Sequence, residues 1–501
     1  MRSTLEKRKL NIVTTLISQL VTTACGIIMP RILIGSFGSE AYGITVSIAQ
    51  FLSYVTLLES GIGGVARARL YEPLALGDKD TVSGVYNAIK TFFGYVAIAF
   101  VVYSIVLGVA FKDIAHVTLF SRPYIFALVI IISLATLAKY MGGLANLTLI
   151  VADQRQYINN IITASTTVLN TAAVIALVWI KSDLIWVKLG SSLIFVARPV
   201  LYSLYVRRHY GKLRKTEKKV TLDQKWTGIG QHLAYFLHTN TDVVLLTLLT
   251  NARFVAVYSV YSLVINSIRA ITESFSGGME AAFGEMIAKG ETEMLRRSYV
   301  RYKVLLSAAS VILFGCTGIL ILPFVRLYTA GITDADYIQP VFAVILLMAE
   351  AVNCIMLPCS SLPVAANHLR RTRWGAYGEA LINIVLSCIL IRWDPLVGVA
   401  VGTLAATVFR GIFYMIYSSK HILGVPVARM ALGSFGAVAL LGGCIALGDR
   451  IIRHVNIENY FRWVSCGAGV FAAVAVPIVL LSAAFLRYTS SAAGRSEHTE
   501  E

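Results

Sequence analysis

Basic side chains recur inside stretches of this chain that are otherwise apolar. Arg31, Lys139, Arg198, Arg269 and Arg410 each lie in a long hydrophobic run. A charge within a membrane-spanning helix costs about 2.5–3.5 kcal/mol by insertion scales, so it usually faces a cavity or a partner. Arginine presents a forked pair of N–H donors that matches phosphate oxygens. A lumen lined by these groups therefore suits an anion such as a diphosphate better than an organic cation.

Acidic and amide side chains, together with histidine, lie in the same apolar runs. Carboxylates and histidine at such depth can take up a coupling proton or cation, and amides can both donate and accept hydrogen bonds. We interpret these residues as the polar lining of a cavity or as coupling groups. They are Glu59, Asn146, His232, Asn240, Asp242, Glu273, Glu280, Glu350 and Asn353.

One polar pattern within the apolar sequence occurs twice. Residues 59–64 read ESGIGG and residues 273–278 read ESFSGG, so the two copies are 214 positions apart (273 minus 59). Each copy is followed by an Ala-x-Gly-acid segment, at 75–78 and at 288–291, and these are 213 positions apart (288 minus 75). An internal repeat in an apolar chain is typical of a transporter built from two related halves. An even number of predicted spans separates the copies, which indicates a parallel repeat.

The elements that position these residues are predicted to be helices. In the second copy Arg269, Glu273, Gly277 and Glu280 would share one helix face, within an arc of about 80° at 3.6 residues per turn. Arg269 and Glu273 would then pair one turn apart, either to line a cavity or only to pin helices together. In the first copy Glu59, Gly63 and Arg67 occupy the matching stripe. Arg67 lies near the end of its span, where snorkelling to the interface is the alternative to a substrate role.

Composition excludes a soluble protein. The chain has 501 residues, of which 57% are hydrophobic and 14% charged, whereas a soluble chain carries about 25% charged residues. The net charge of +17 is explained by cytoplasmic loops facing anionic lipid, and we expect no nucleic-acid partner. Nucleotide-binding, serine-hydrolase and zinc-protease motifs do not occur, and the seven cysteines lack metal-ligand spacing. We therefore expect no enzyme activity, no cofactor and no metal.

We predict about 14 membrane-spanning helices, because each span needs about 20 mainly apolar residues. The predicted spans are 10–34, 43–66, 87–111, 123–150, 157–180, 184–206, 228–249, 254–283, 303–327, 338–366, 374–392, 396–419, 428–448 and 461–486. Connections rich in Lys and Arg, such as 207–225, alternate with connections poor in base, such as 331–337. By the positive-inside rule, both termini are then cytoplasmic.

The repeat and the loops divide the chain into two six-helix lobes with two extra helices. We predict an N-terminal lobe over 1–206, a basic cytoplasmic linker over 207–227 and a C-terminal lobe over 228–421. The two additional spans occupy 422–487, and 488–501 is predicted to be a disordered cytoplasmic tail. The fold class is thus an all-α polytopic membrane protein with a parallel pseudo-two-fold repeat.

Several of these segments together resemble a known family. They are Pro30-Arg31, the GSEAYG segment at 38–43, the LLESGIGG segment at 57–64 followed by Arg67, Thr241-Asp242, and the AVYS segment at 256–259. The chain is similar to the polysaccharide-biosynthesis, O-antigen (Wzx-type) flippases of the multidrug/oligosaccharidyl-lipid/polysaccharide exporter superfamily. The resemblance implies a MATE-like pair of lobes around a central cavity, alternating access, and an undecaprenyl-diphosphate-linked glycan moved from the inner to the outer leaflet of the cytoplasmic membrane.

The main hypothesis from the sequence is accordingly a lipid-linked oligosaccharide flippase for surface polysaccharide, acting as a monomer among membrane lipids. In this hypothesis Arg31, Arg67, Lys139, Arg198 and Arg269 hold the diphosphate, and H⁺ or Na⁺ is a possible coupling ion. A cation-coupled multidrug exporter of the same superfamily is the alternative, and it predicts a lumen dominated by carboxylates. A membrane-embedded glycan polymerase is a third class, which would need a long outer loop that this sequence does not contain.

Overall fold

The computed structural model of the chain describes residues 4–59, 63–211, 213, 229–274, 278–452 and 454–497. All regular structure in these ranges is helical, with no β-strand among them. Eleven segments within the described ranges are long and apolar enough to cross a membrane. Helices satisfy their backbone N–H and C=O groups internally, as a lipid environment requires. The chain is therefore a multi-pass, all-α membrane protein, which confirms the predicted fold class.

The chain forms two compact units. The first comprises Met1–Leu233 and Thr247–Ala256, and the second comprises Ala234–Leu246 and Val257–Glu501. The helices are α1 (Thr4–Ser53), α2 (Gly63–Leu76), α3 (Lys79–Ile114), α4 (Arg122–Ala138), α5 (Leu144–Ala152), α6 (Gln156–Trp179), α7 (Leu184–Tyr210), α8 (Ile229–Leu249), α9 (Ala252–Ser274), α10 (Met279–Lys289), α11 (Thr292–Tyr328), α12 (Pro340–Ala365), α13 (Leu369–Leu390), α14 (Pro395–Ser418), α15 (Val427–Ile452) and α16 (Tyr460–Glu497). The fourteen predicted spans map onto these helices.

Local sequence explains where several helices begin. Asp78, Asp183 and Asp394 precede α3, α7 and α14, and the carboxylate of each accepts a hydrogen bond from a backbone N–H of the first turn. Aspartate is favoured at this position because it satisfies donors that have no partner within the helix. α12 and α14 start with proline, whose missing N–H is not needed in the first turn. These starts were readable from the sequence.

α1 contains the first predicted span and nearly half of the second. Gly38 has φ 82° and ψ 165°, a non-helical conformation that separates the two helical segments. Glycine adopts a positive φ without the steric cost that a side chain would impose. Pro30 lies within the first segment, directly before Arg31. At the other end of the chain, α16 continues through residues 488–497, where the sequence predicted a disordered tail.

The predicted span 43–66 is not a single helix, and this corrects the sequence-based assignment. In place of one helix, α1 ends at Ser53, a 3₁₀ turn covers Tyr54–Leu58, and α2 begins at Gly63. In the predicted span 254–283 the described residues form α9, up to Ser274, and α10, from Met279. Residues 60–62 and 275–277, which belong to the Ser/Gly segments of the repeat, lie outside the described ranges.

The repeat is therefore also a repeat of local structure. The short helix α2 ends before Gly77 and the short helix α10 ends before Gly290. Both glycines have φ +74°, and they lie 213 positions apart. A long helix begins within two residues of each glycine, α3 in the first case and α11 in the second. Left-handed glycine is a common way to end a helix.

The turn between α8 and α9 belongs to the first unit, although the predicted lobe boundary placed it in the second half of the chain. Ser47 and Thr247 share a buried hydrogen bond of 2.7 Å between their hydroxyls, and Arg253 pairs with Glu40 at 3.2 Å. A Cβ on Gly43 would lie only 1.8 Å from the carbonyl oxygen of Ala252. The absence of a side chain at Gly43 is thus what lets the two backbones touch.

The two helices beyond the repeat, α15 and α16, both pack against α11. Gly448 of α15 approaches Ile319 so closely that an added Cβ would lie 2.2 Å from its side chain. Trp463 of α16 donates its indole N–H to the carbonyl of Leu320 at 3.1 Å and lies against Phe324. These helices are thus attached to the second unit chiefly through α11, and α15 also contacts α12 and α14.

We expect Gly43→Ala to lower the stability of the protein, because the new methyl group collides with backbone atoms that cannot move without displacing the α8–α9 turn. Overpacking of this kind costs about 1–3 kcal/mol. Gly35→Ala is the matched control, since it lies in the same helix with nothing within 4 Å of the added atom. Thermal unfolding of the purified protein in detergent should show a lower Tm for Gly43→Ala alone; equal Tm values would contradict the close approach.

Candidate functional site

The first charged cluster of the first unit joins the end of the 3₁₀ turn to the middle of a broken helix. Lys139 donates to both carboxylate oxygens of Glu59, at 2.8 and 3.0 Å, and the hydroxyl of Tyr140 also donates to Glu59. Lys139 begins a π turn, Lys139–Gly143, in which Gly142 has φ 145°. This turn interrupts the predicted span 123–150 and directs two consecutive side chains at one acid. The Lys139 ammonium therefore already has an acidic partner.

The remaining basic residues predicted near the N-terminus occupy different environments. Arg31 is half-buried in α1, whereas Arg67 is exposed on α2 and donates to the carbonyl of Gly63 at 3.1 Å. Asn146 is buried in α5 and accepts a hydrogen bond of 2.9 Å from the hydroxyl of Tyr86. Arg67 thus has the exposed position that interface snorkelling predicts.

Arg198 is held by a row of threonines on the neighbouring helix. Its Nε donates to the hydroxyl of Thr166 at 2.6 Å, and its Nη2 donates to the hydroxyl of Thr167 at 2.9 Å and to the carbonyl of Thr163 at 3.4 Å. The guanidinium also lies over the ring of Phe195, 4.4 Å from its centroid. All three hydrogen-bonding partners are neutral groups of α6.

The second unit contains a continuous chain of charged and amide groups across four helices. Arg269 of α9 lies between Glu273, at 3.6 Å, and Glu350 of α12, at 3.2 Å. Asn353 donates to Glu350 at 3.4 Å and accepts a hydrogen bond from Arg410 of α14. Arg410 in turn pairs with Glu379 of α13 at 2.9 Å. The structure thus brings together four of the predicted site residues and links them to Arg410 and Glu379.

A second polar cluster of this unit surrounds Asp242, which is only 3% exposed. The hydroxyl of Thr403 lies 2.9 and 3.0 Å from its two carboxylate oxygens, and the hydroxyl of Tyr258 donates to it at 2.9 Å. Asn383 donates to the same Thr403 hydroxyl at 2.9 Å. Oxygen atoms of carboxylate, hydroxyl and amide groups are the ligand type preferred by hard cations.

Other predicted site residues lie elsewhere. Glu280 is exposed on α10, and Gly277, a member of the face expected over 269–280, lies outside the described residues. Asn240 donates to the carbonyl of Phe236 in its own helix at 2.7 Å. His232 lies in α8, but its side chain is outside the part of the chain whose side chains the structure describes. No group of three or more metal-ligating side chains occurs among the described residues.

Sequence reasoning missed Glu379, which is 1% exposed and partners Arg410. A signal was present, because Glu379, Asn383 and Ser387 recur at i, i+4 and i+8 in an apolar helix and so share one face. Thr403 and Thr407 of α14 likewise repeat with Arg410 at helical spacing. Polar stripes on consecutive spans predict facing helices, and α13 and α14 do pack on each other.

We expect Glu379→Gln to destabilise the protein by about 3 kcal/mol, since it leaves the half-buried guanidinium of Arg410 without its carboxylate. Glu280→Gln is the control, an exposed glutamate for which we expect a change within about 0.5 kcal/mol. Adding Arg410→Met to Glu379→Gln should restore much of the loss. Unfolding in detergent, followed by loss of helical signal, measures all three; equal effects at 379 and 280 would refute the buried pair.

Solved structures of other proteins share this arrangement of helices. No family model and no curated protein sequence matches the chain. Its structure is similar to that of the lipid II flippase MurJ in an inward closed conformation, with 13% identity, coverage of 96% of this chain and 99% of that one, and a TM-score of 0.69. It is also similar to the MATE multidrug transporter DinF-BH, with 16% identity, 84% and 96% coverage and a TM-score of 0.59.

A third similar structure is the Vibrio cholerae MATE transporter VcmN, with 13% identity, coverage of 83% of this chain and 98% of that one, and a TM-score of 0.53. At these identities the likeness establishes the architecture. The chain therefore has the MurJ- and MATE-like fold, which confirms the MATE-like architecture that the sequence predicted.

Proposed function

We propose that this protein is a flippase that moves an undecaprenyl-diphosphate-linked oligosaccharide from the inner to the outer leaflet of the cytoplasmic membrane by alternating access, for surface polysaccharide biosynthesis. The polyprenyl tail would stay in the bilayer while the diphosphate and the sugars cross along polar groups. In this proposal both termini are cytoplasmic and the protein acts as a monomer and is not an enzyme. The fold it shares with a lipid II flippase supports a lipid-linked substrate.

The observation that carries the proposal is the uneven distribution of charge within the apolar helices. Among the charges that the sequence predicted at depth in the apolar runs, the first unit has Arg31, Lys139 and Arg198 with one acid, Glu59. Arg269 and Arg410 of the second unit accompany four acids. A basic surplus attracts a phosphate group, and an acidic surplus attracts a cation. The two halves of the repeat would thus serve the substrate and the coupling ion respectively.

The residues would divide the work by chemistry. Arg31, Lys139 and Arg198 would contact the diphosphate, with Arg67 at the entrance, and Lys139 would exchange Glu59 for a phosphate oxygen. Asn146, Asn240 and Asn353 would meet sugar hydroxyls, because amides both donate and accept hydrogen bonds. Arg269 would attract the diphosphate through its positive charge, although Glu273 and Glu350 already flank it.

Asp242 is the proposed coupling group. Thr403 and Tyr258 place hydroxyls on its carboxylate at 2.9–3.0 Å, so a proton or a sodium ion would find several oxygen ligands there. Asn383 orients the Thr403 hydroxyl at 2.9 Å. The negative charges of Glu273 and Glu350 would influence the affinity of Asp242 for a proton or a cation.

A cation-coupled multidrug exporter is the second candidate. The four acids of the second unit and the fold shared with MATE transporters favour it. In that case the carboxylates, rather than the arginines, would contact the transported molecule.

The deciding measurement is translocation of a fluorescent undecaprenyl-diphosphate oligosaccharide in proteoliposomes. We expect transport by the native protein and a loss of at least about tenfold in Arg31→Ala, because hydrogen bonds to charged groups contribute about 1.5–3 kcal/mol. Arg269→Ala should lower transport too, but also stability, since Glu350 loses its partner. Arg122→Ala, an exposed arginine paired with Asp113, is the control and should keep full activity.

Absence of lipid-linked sugar transport, together with proton- or sodium-driven efflux of an organic cation, would replace the flippase with the exporter. Neutralising Glu59, Asp242 or Glu273 would then abolish efflux, whereas Arg31→Ala would not.

We expect Asp242→Asn to uncouple transport from the ion gradient. An amide cannot take up a proton at neutral pH and holds a cation weakly, so an imposed pH or sodium gradient should no longer accelerate flipping. Movement of substrate down its own gradient should persist. Asp113→Asn, at an exposed pair, is the control. Equal stimulation of Asp242→Asn and the native protein by the gradient would remove Asp242 from the coupling role.

A further inference from the structure

The internal repeat relates two arginines that sit on equivalent helices. Arg198 lies on α7 and Arg410 on α14, 212 positions apart (410 minus 198), close to the 213–214 positions that separate the two sequence motifs. Each guanidinium reaches the helix that precedes its own, α6 in the first unit and α13 in the second. The two arginines are therefore corresponding residues of the repeat.

The partners of these two arginines differ in charge. Arg410 has Glu379, whose carboxylate lies 2.9 Å away. The residue 212 positions before Glu379 is Thr167, and its hydroxyl accepts a hydrogen bond from Arg198 at 2.9 Å. The first unit thus has a neutral threonine where the second has the counter-ion. Both arginines occupy corresponding positions, but only Arg410 has a carboxylate partner.

The environment of Arg198 leaves a positive charge without an acid inside the apolar helices. No carboxylate oxygen of any described residue lies within 4.0 Å of its nitrogens, and its Nη1 makes no hydrogen bond to the described part of the chain. Arg198 is near the midpoint of the 27-residue α7, about 20 Å from either end at 1.5 Å per residue. A guanidinium at that depth marks a ligand pathway or calls for a partner.

We propose that Arg198 and Thr167, positioned by Thr166, form a phosphate-binding site in which a ligand phosphate takes the place that Glu379 fills in the second unit. Nη1 offers a donor, and the Thr167 hydroxyl can donate its hydrogen to a phosphate oxygen while it accepts from Nη2. The Thr166 hydroxyl donates to the carbonyl of Ile162 at 2.7 Å and accepts from Nε at 2.6 Å, so it fixes the guanidinium and does not contact the ligand.

A second observation indicates a phosphate attached to a hydroxyl-bearing group. Asn170 lies one turn after Thr166 on the same face of α6 and is 5% exposed. Its Oδ1 accepts no hydrogen bond from the described residues. A buried acceptor of this kind needs a donor such as a sugar hydroxyl. The site therefore fits a sugar phosphate, and it rests on the proposed function in taking this to be the diphosphate-linked glycan.

The decisive variant is Thr167→Glu, which recreates in the first unit the pair that Arg410 and Glu379 form in the second. The new carboxylate should form an ion pair with Arg198 and so exclude the phosphate. Thr167→Gln is the uncharged comparison of nearly the same size, and its amide N–H can donate in place of the hydroxyl. We expect Thr167→Glu to bind undecaprenyl-diphosphate oligosaccharide at least about tenfold more weakly than Thr167→Gln does, because only the glutamate adds a competing negative charge.

Binding is measured with full-length protein in nanodiscs of neutral lipid, from the ligand-dependent rise in Tm. The Tm without ligand is recorded for each variant, and we expect Thr167→Glu to match or exceed the native value because a new ion pair forms. A purely structural role of Thr167 would instead lower that Tm in both variants and leave the affinity unchanged. Arg198→Gln, compared with Arg122→Gln, gives an independent loss of affinity if Thr167→Glu does not fold.

Two further probes separate the sources of phosphate. Inorganic pyrophosphate tests the phosphate alone, and nanodiscs containing phosphatidylglycerol test a phospholipid headgroup. Competition by pyrophosphate that Thr167→Glu abolishes supports the site, and displacement by phosphatidylglycerol assigns it to a structural lipid and overturns the substrate assignment. Unchanged affinities in Thr167→Glu and Arg198→Gln overturn the site, while flipping by the native protein would leave the proposed function standing. Conversely, pyrophosphate binding that depends on Thr167, in a protein that flips no lipid-linked sugar, would support the site and contradict the proposed function.

Discussion

A charge placed among apolar helices must find an opposite charge, a cage of polar groups or a ligand, because lipid and packed side chains screen it so poorly. Most of the named charges of this protein meet that requirement through a partner on another helix. Lys139 meets Glu59, and Arg269 lies between two glutamates. These pairs tie the broken end of one span to the middle of another. The positions of the helices and of the polar groups are therefore determined together.

The two halves of the repeat have corresponding helices but different charges at corresponding positions. In the first unit Glu59, next to the Ser/Gly segment of the repeat, pairs with Lys139 at a π turn. In the second unit Arg269, which precedes the corresponding segment, pairs with Glu350 of α12. An internal duplication supplies two copies of each position, and substitution of one copy changes its electrostatics without changing the helix packing. Thr167 and Glu379 are the clearest such pair. In our proposal, this divergence between copies gives one fold both an anion site and a cation site.

Close helix contacts provide the rigid frame on which these side chains are held. An added Cβ on Gly402 would lie 2.1 Å from the Ser387 hydroxyl, so α13 and α14 approach at nearly backbone distance about two turns from Glu379 and Arg410. Small residues allow this approach, and close approach shortens the reach that each polar side chain must span. Near the N-terminus, Lys7 and Arg155 both bind Asp153, which secures the start of α1 to the turn before α6.

The sequence by itself determined the fold class, the approximate spans, the repeat and the presence of charges at depth. All of these depend on properties that are local in the chain: apolar length, loop charge, helix-starting aspartates and a motif that recurs. Only the tertiary structure decided which charges meet. Lys139 and Glu59 are 80 positions apart, and Asp242 and Thr403 are 161 apart. Helical periodicity gives the face of a residue but not the helix opposite it, so Glu379 was overlooked as the partner of Arg410.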